Sequence, residues 1–116
     1  MDMKSIKSTR KYFVSAVIPV YNEEKRLTAC LKTLSNQTYK NMEIIVIDDG
    51  SQDSSQKIAE LHKVKILTQI HKGPGSARNL GASCAKGDIL VFVDSDMTFD
   101  KNFITDLVKP INTGHS

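Results

Sequence analysis

Two rhythms of apolar residues alternate along the chain. Val14–Val20 and Glu43–Ile47 are apolar runs too short for helices, and each predicts a strand. Ile89-Leu90-Val91-Phe92-Val93 is a third, preceded by a Gly-Asp break and lacking any polar alternation. It predicts a strand buried on both faces, of the kind found inside a parallel sheet. Val64–Thr68 alternates apolar and polar residues instead, which fits a half-exposed strand nearer the sheet edge. Between the runs, Leu27, Cys30, Leu31 and Leu34 recur at i, i+3, i+4 and i+7, as do Ala77, Leu80, Gly81 and Cys84. Both sets predict amphipathic helices, and Asn79 and Gly81 suit close packing of the second on the sheet. A helix with Ile58 and Leu61 inward is expected after the second strand. A last short one, carrying Phe103, Leu107 and Val108, is expected after an Asp100 cap. Asn22 stands where the first helix should be capped, with Glu23 and Glu24 in its first turn. Gly87 is the expected stop of the third helix.

The resulting order, β-α-β-α-β-α-β-α, implies a Rossmann-like α/β fold: a parallel sheet with right-handed crossovers and helices on both faces. The expected strand order is 3-2-1-4. Ligands of such sheets sit outside the carboxyl ends of the strands, where the order reverses. Three polar clusters would leave the strands there: Tyr21-Asn22-Glu23, Asp48-Asp49 and Asp94-Ser95-Asp96.

Composition narrows the choice. The net charge of +3 is carried by Lys4, Lys7, Arg10 and Lys11 against Asp2, so residues 14–116 are balanced. Total charge gives no support for a nucleic-acid footprint on the folded part, and no nucleic-acid partner is expected. Residues 1–13 read as a basic flexible tail, or as a tether for peripheral association with an anionic membrane. No run approaches the ~20 residues of a membrane span. Cys30 and Cys84 fall on apolar helix faces, which predicts buried free thiols and fits a reducing, cytoplasmic setting.

Asp94 and Asp96 carry the sharpest chemical signal. In an extended segment residues i and i+2 point the same way, about 6 to 7 Å apart, and two carboxylates so placed repel by roughly 3 kcal/mol at an effective dielectric near 20. Protonation would not relieve this at neutral pH, whereas a cation would, so Asp94-Ser95-Asp96 is a candidate divalent-metal site. Neither a Gly-x-Gly-x-x-Gly after the first strand nor a Gly-x-x-x-x-Gly-Lys-Ser/Thr motif occurs. What remains is an acidic rim, one aromatic ring at Tyr21, and a flexible basic loop from His71 to Arg78. That set suits a nucleotide diphosphate carrying Mg²⁺ or Mn²⁺. His62 and His71 lack partners at metal-ligand spacing and are expected to be solvated.

Four segments then carry a resemblance. Val17-Ile18-Pro19-Val20-Tyr21-Asn22-Glu23-Glu24, Glu43-Ile44-Ile45-Val46-Ile47-Asp48-Asp49-Gly50-Ser51-Gln52-Asp53, Gly75-Ser76-Ala77-Arg78-Asn79-Leu80-Gly81 and Val93-Asp94-Ser95-Asp96 follow one another in the order and spacing of glycosyltransferase family 2, which has the GT-A fold. The resemblance implies an inverting glycosyltransferase with a UDP- or GDP-sugar donor and a sugar, polysaccharide or lipid-linked acceptor. It further implies that Pro19, Tyr21 and Glu23 line the base and ribose pocket, and that Asp49, beside Asp48, binds the base. Arg78 would lie near the base or phosphates and Asp94 near the ribose, while Asp96, with Asp94, would hold the metal on the diphosphate. Nothing after Asp96 resembles the carboxylate base that the family's acceptor half supplies. Residues 14–116 are therefore expected to be the nucleotide-diphospho-sugar-binding half, without the acceptor half. An apolar face left open by the missing half would favour self-association.

Two other readings stand beside this one. Val91–Thr98 also fits the Asp-x-Asp-x-Thr pattern of haloacid-dehalogenase-like phosphatases, with Asp94 as nucleophile and Asp96 as acid/base. That motif normally ends the first strand of its domain, however, and needs later motifs. The chain could equally be a non-catalytic nucleotide-sugar-binding module.

Overall fold

A computed structural model describes residues 12–112; the basic segment 1–11 lies outside them. Four strands, β1 (Val14–Val20), β2 (Met42–Asp48), β3 (Lys65–Thr68) and β4 (Ile89–Phe92), form one parallel sheet in the order β3-β2-β1-β4. Helices α1 (Leu27–Ser35), α2 (Ser55–Glu60), α3 (Pro74–Cys84) and α4 (Phe103–Asn112) follow the strands in turn. This is the expected Rossmann-like architecture.

Alternate residues of the sheet build two different layers. Ile18, Val20, Ile44, Val46 and Val93 face α1 and α2, meeting Leu27, Cys30, Leu31, Leu34 and Ala59. Next to them, Val14 meets Ile104 and Val108 of α4. Each buried leucine of α1 contributes about 1.5–3 kcal/mol, so this layer holds most of the core. The opposite face is thinner, with only α3 laid over Val17, Ile45 and Ile47. Its close approach depends on Gly81, where a Cβ would stand 2.4 Å from Val17 Cγ1 and 2.6 Å from Ile47 Cδ1.

Several local expectations are corrected. β4 is not buried on both faces: it is an edge strand, and Leu90 and Phe92 remain 40% and 46% exposed because α3 does not reach over them. Leu61 is 83% exposed, since α2 ends at Glu60 and the chain turns there, with Leu61 N–H bonded to the Ile58 carbonyl at 3.1 Å. Asn22 does not cap α1, which begins at Leu27 with Arg26 before it and no side-chain cap. Gly87 does not end α3 either, because the chain is already extended at Ala85. Its role is contact: a Cβ there would lie 2.7 Å from Ser15 N and 2.9 Å from the Phe13 carbonyl oxygen. Asn79 is exposed and does not share the packing role of Gly81.

Asp100 stands in the turn before α4, which begins at Phe103, and does not cap its first turn. Its carboxylate accepts the Asn102 N–H at 3.0 Å just ahead of α4. Buried Gln37 then ties α1 to this segment, donating from Nε2 to the carbonyls of Thr33 and Asp100 and accepting the Ile104 N–H at Oε1. Thr33 Oγ1 also accepts the Phe99 N–H at 3.1 Å, so the loop after β4 hangs from α1. No helix among the described residues is long and apolar enough to cross a membrane.

Candidate functional site

In register, parallel β1 and β2 bring Val20 opposite Asp48, so both strands end at the same level. The Asp49 N–H donates to the Val20 carbonyl at 2.8 Å, which sets Tyr21 and Asp49 side by side on the rim. The two exit loops are then sewn together. Asn22, at φ 51°, donates its N–H to Ser51 Oγ and accepts the Gln52 N–H at Oδ1, while the Glu23 N–H reaches Ser55 Oγ at 2.8 Å.

Asp49 is 2% exposed and three hydrogen bonds hold its carboxylate. Oδ1 accepts from Gln69 Nε2 at 2.7 Å and from the Lys72 N–H at 2.8 Å; Oδ2 accepts from the Gly73 N–H at 3.0 Å and faces His71 Nδ1 at 2.9 Å. Burial alone would raise this carboxyl. The hydrogen bonds from Gln69 and the two amides, with His71 beside them, outweigh that and hold it below the usual aspartate value. Asp48 is buried as well, its Oδ1 turned towards the Ser51 N–H at 3.4 Å. It shapes the turn and does not face the hollow beside it. That hollow, of about 170 Å³, is lined by Pro19, Val20, Tyr21, Asp49, His71 and Pro74. It is the size of a subsite for one ring and not of a whole nucleotide-sugar pocket, for which about 300–1,000 Å³ is usual. A wider hollow of about 410 Å³ opens beside Tyr39, Met42 and Lys65, towards the amino end of β2. Ligands of open parallel sheets are held at the carboxyl end, so the smaller hollow is the candidate.

His71 is the residue that sequence reading missed. It is not simply solvated: its ring stacks on Tyr21, centroids 4.0 Å apart and planes 28° from parallel. Only the bend of the loop after β3 brings two residues so distant in sequence together.

The acidic end of the site lies over α1. β4 pairs with β1 only up to Val17↔Phe92, so the chain leaves the sheet early. Asp94-Ser95-Asp96 is a turn closed by the Met97 N–H on the Asp94 carbonyl at 3.2 Å. The extended geometry that would align Asp94 with Asp96 is therefore absent. Both are exposed, and Asp96 Oδ2 lies 3.4 Å from Arg26 Nη1 in an open pair, which is worth about 0–1 kcal/mol and yields readily to a stronger partner. Glu23 Oε2 is buried with no hydrogen-bond partner among the described residues. Cys30 registers all three carboxylates: burial first, then the charges of Asp96, Asp94 and Glu23, push its thiol up to about 11. Both cysteines are free thiols, Cys30 buried and Cys84 partly so.

No three His, Cys, Asp or Glu side chains among the described residues converge closely enough to hold a metal ion unaided. The donor set nevertheless fits a hard divalent cation of the Mg²⁺ type, which takes one or two carboxylates and completes its shell with phosphate oxygens and water. An orphaned, buried carboxylate oxygen on Glu23 shows that this end is short of a donor or a cation. Arg78, partly buried on α3, makes no hydrogen bond or ion pair among the described residues. Pro19, Tyr21 and Asp49 are thus brought together at one end, and Glu23, Asp94 and Asp96 at the other.

The sequence profile of glycosyl transferase family 2 matches residues 15–116. The chain belongs to that family. The glycosyltransferase GlyG of Streptococcus pneumoniae is 39% identical over 104 residues, covering 84% of this chain and 35% of its own. Among solved structures, S. aureus TarS (1–349) in complex with UDP-GlcNAc superposes with a TM-score of 0.84 at 32% identity, over 90% of this chain and 32% of that one. The mannosyltransferase PcManGT of Pyrobaculum calidifontis, in complex with GDP-Man and Mn²⁺, gives 0.76 at 25% identity, over 88% and 33%. This family 2 chain thus spans about a third of the lengths of these proteins, and its fold is of the GT-A type. Family membership leaves no support for the phosphatase alternative, and Asp94 accordingly follows the fourth strand and not the first.

Proposed function

We propose that residues 14–112 bind the nucleotide diphosphate of a UDP- or GDP-sugar donor for an inverting glycosyl transfer to a sugar, polysaccharide or lipid-linked hydroxyl. The observation that carries this reading is the split rim: an aromatic ring and a buried carboxylate at one end, three carboxylates around Cys30 at the other. Pro19 and Tyr21 flank the base and Asp49 accepts its ring N–H. Glu23 and Asp94 accept ribose hydroxyls, a use that would satisfy the orphaned Glu23 oxygen. Arg78, which has no partner of its own among the described residues, reaches the base or the phosphates. Asp96, with Asp94, would hold a Mg²⁺ or Mn²⁺ ion, whose chemistry when bound is to neutralise charge on the diphosphate. Inverting transfer also needs a carboxylate base to take the proton of the attacking hydroxyl, a role assigned to no residue among those described.

Calorimetric titration with UDP and GDP, with and without Mn²⁺, tests the assignment. Wild type should bind in a metal-dependent way, Asp96→Ala should lose the metal dependence, and Asp49→Ala should weaken binding while keeping it. Equal binding by wild type and Asp96→Ala would refute the metal role.

A further inference from the structure

Asp49 poses a counting problem. A carboxylate offers about four acceptor positions; Gln69 Nε2 and the Lys72 and Gly73 amides fill three, and His71 Nδ1, bonded to the Asp49 carbonyl oxygen at 3.2 Å, stands 2.9 Å from Oδ2 and covers the fourth. Nothing is left for a base. Three of these donors cannot leave without unmaking the loop, because two are backbone amides and the third belongs to a side chain that also meets Ser76 Oγ. The fourth can. His71 has a side chain that is 54% exposed, whereas its backbone is pinned between the anchored amides and Gly50, where even a Cβ would meet His71 N at 2.9 Å.

The same imidazole also covers Tyr21, the ring on which a base would stack. Against an ionised carboxylate the facing ring nitrogen must carry the proton, so Nδ1–H is a donor. A flat ring that stacks on Tyr21 and holds a ring N–H 2.9 Å from the Asp49 carboxylate has the two attributes of a uracil or guanine.

We propose that His71 occupies the base subsite of the ligand-free chain as an internal stand-in for the base, and that its side chain swings out when a base with a ring N–H enters. This rests on the nucleotide reading above. The pocket is then open only for the fraction of time that His71 is out, and apparent affinity falls by that fraction.

The test is calorimetric titration of UDP and GDP, with Mn²⁺ present throughout, into wild type, His71→Ala and His71→Asn. Emptying the subsite should tighten UDP and GDP by about fivefold to tenfold in His71→Ala. His71→Asn, which keeps a donor without the ring, should fall between. ADP and CDP, whose bases lack the ring N–H, should gain less. In the ligand-free protein the His71 ring-proton resonances should lie upfield under the Tyr21 ring current, and should return towards ordinary values on UDP binding or in Tyr21→Leu. Weaker or unchanged UDP binding by both His71 variants would overturn the stand-in while leaving the nucleotide pocket intact. Failure of every variant to bind UDP or GDP would overturn both.

Discussion

Asp49 shows how a single side chain can serve the fold and the site together. Its carboxylate closes the loop that follows β3, and the same atoms form the floor of the hollow beside Tyr21. Asp49→Asn keeps the shape but sets an amide N–H₂ against donors, and is expected to cost about 1–3 kcal/mol in urea unfolding at pH 7. The pH dependence has a definite sign. The folded carboxyl lies below its unfolded value, so its contribution is present in full above the unfolded value near pH 4. It is lost as pH falls further, through the depressed folded value. The stability gap between wild type and Asp49→Asn should therefore narrow on acidification below about pH 4. A gap that stayed constant from pH 7 to pH 3 would show that the carboxylate charge is not what the loop depends on.

Among the elements, α3 is the one whose position rests on an absence. Among the described residues it is the single helix on its face of the sheet, and it comes close enough only because residue 81 has no side chain. Glycine costs a helix about 1 kcal/mol relative to alanine, yet Gly81→Ala would drive a methyl into Val17 and Ile47. A net loss of about 1–3 kcal/mol is expected, since overpacking outweighs propensity. Gly75, in the first turn of the same helix, has no atom within 4 Å of where its Cβ would stand. Gly75→Ala should then be neutral or stabilising by up to about 1 kcal/mol. Thermal unfolding of the two variants separates the effects, and equal shifts would contradict the packing account.

For the whole molecule, the sheet is covered unevenly. Among the described residues three helices pack on one face and one on the other, which leaves Leu90 and Phe92 half-exposed on an edge strand that no other described strand pairs on its outer side. Such an edge favours association of this 116-residue chain with itself. Sedimentation velocity should show mass rising with concentration, and Phe92→Lys should suppress the rise; a wild-type monomer at every concentration would count against it.

What the sequence determined by itself was the part that local physics specifies. Apolar runs and i, i+3, i+4, i+7 spacing place Val14–Val20 and the buried face of α1 correctly, and their alternation leads to a parallel sheet ordered 3-2-1-4. Rim positions follow from that order, so Tyr21, Asp49, Glu23, Asp94 and Asp96 could be named in advance. Tertiary structure alone decided what each rim residue meets. An unbroken apolar run does not say whether a helix covers it, and β4 is left half bare. The extended spacing of Asp94 and Asp96 gives way to a turn because β4 stops pairing early. His71 carries no local signal, since a ring contact with Tyr21 and a bond to Asp49 exist only once three chain segments have been folded onto one rim.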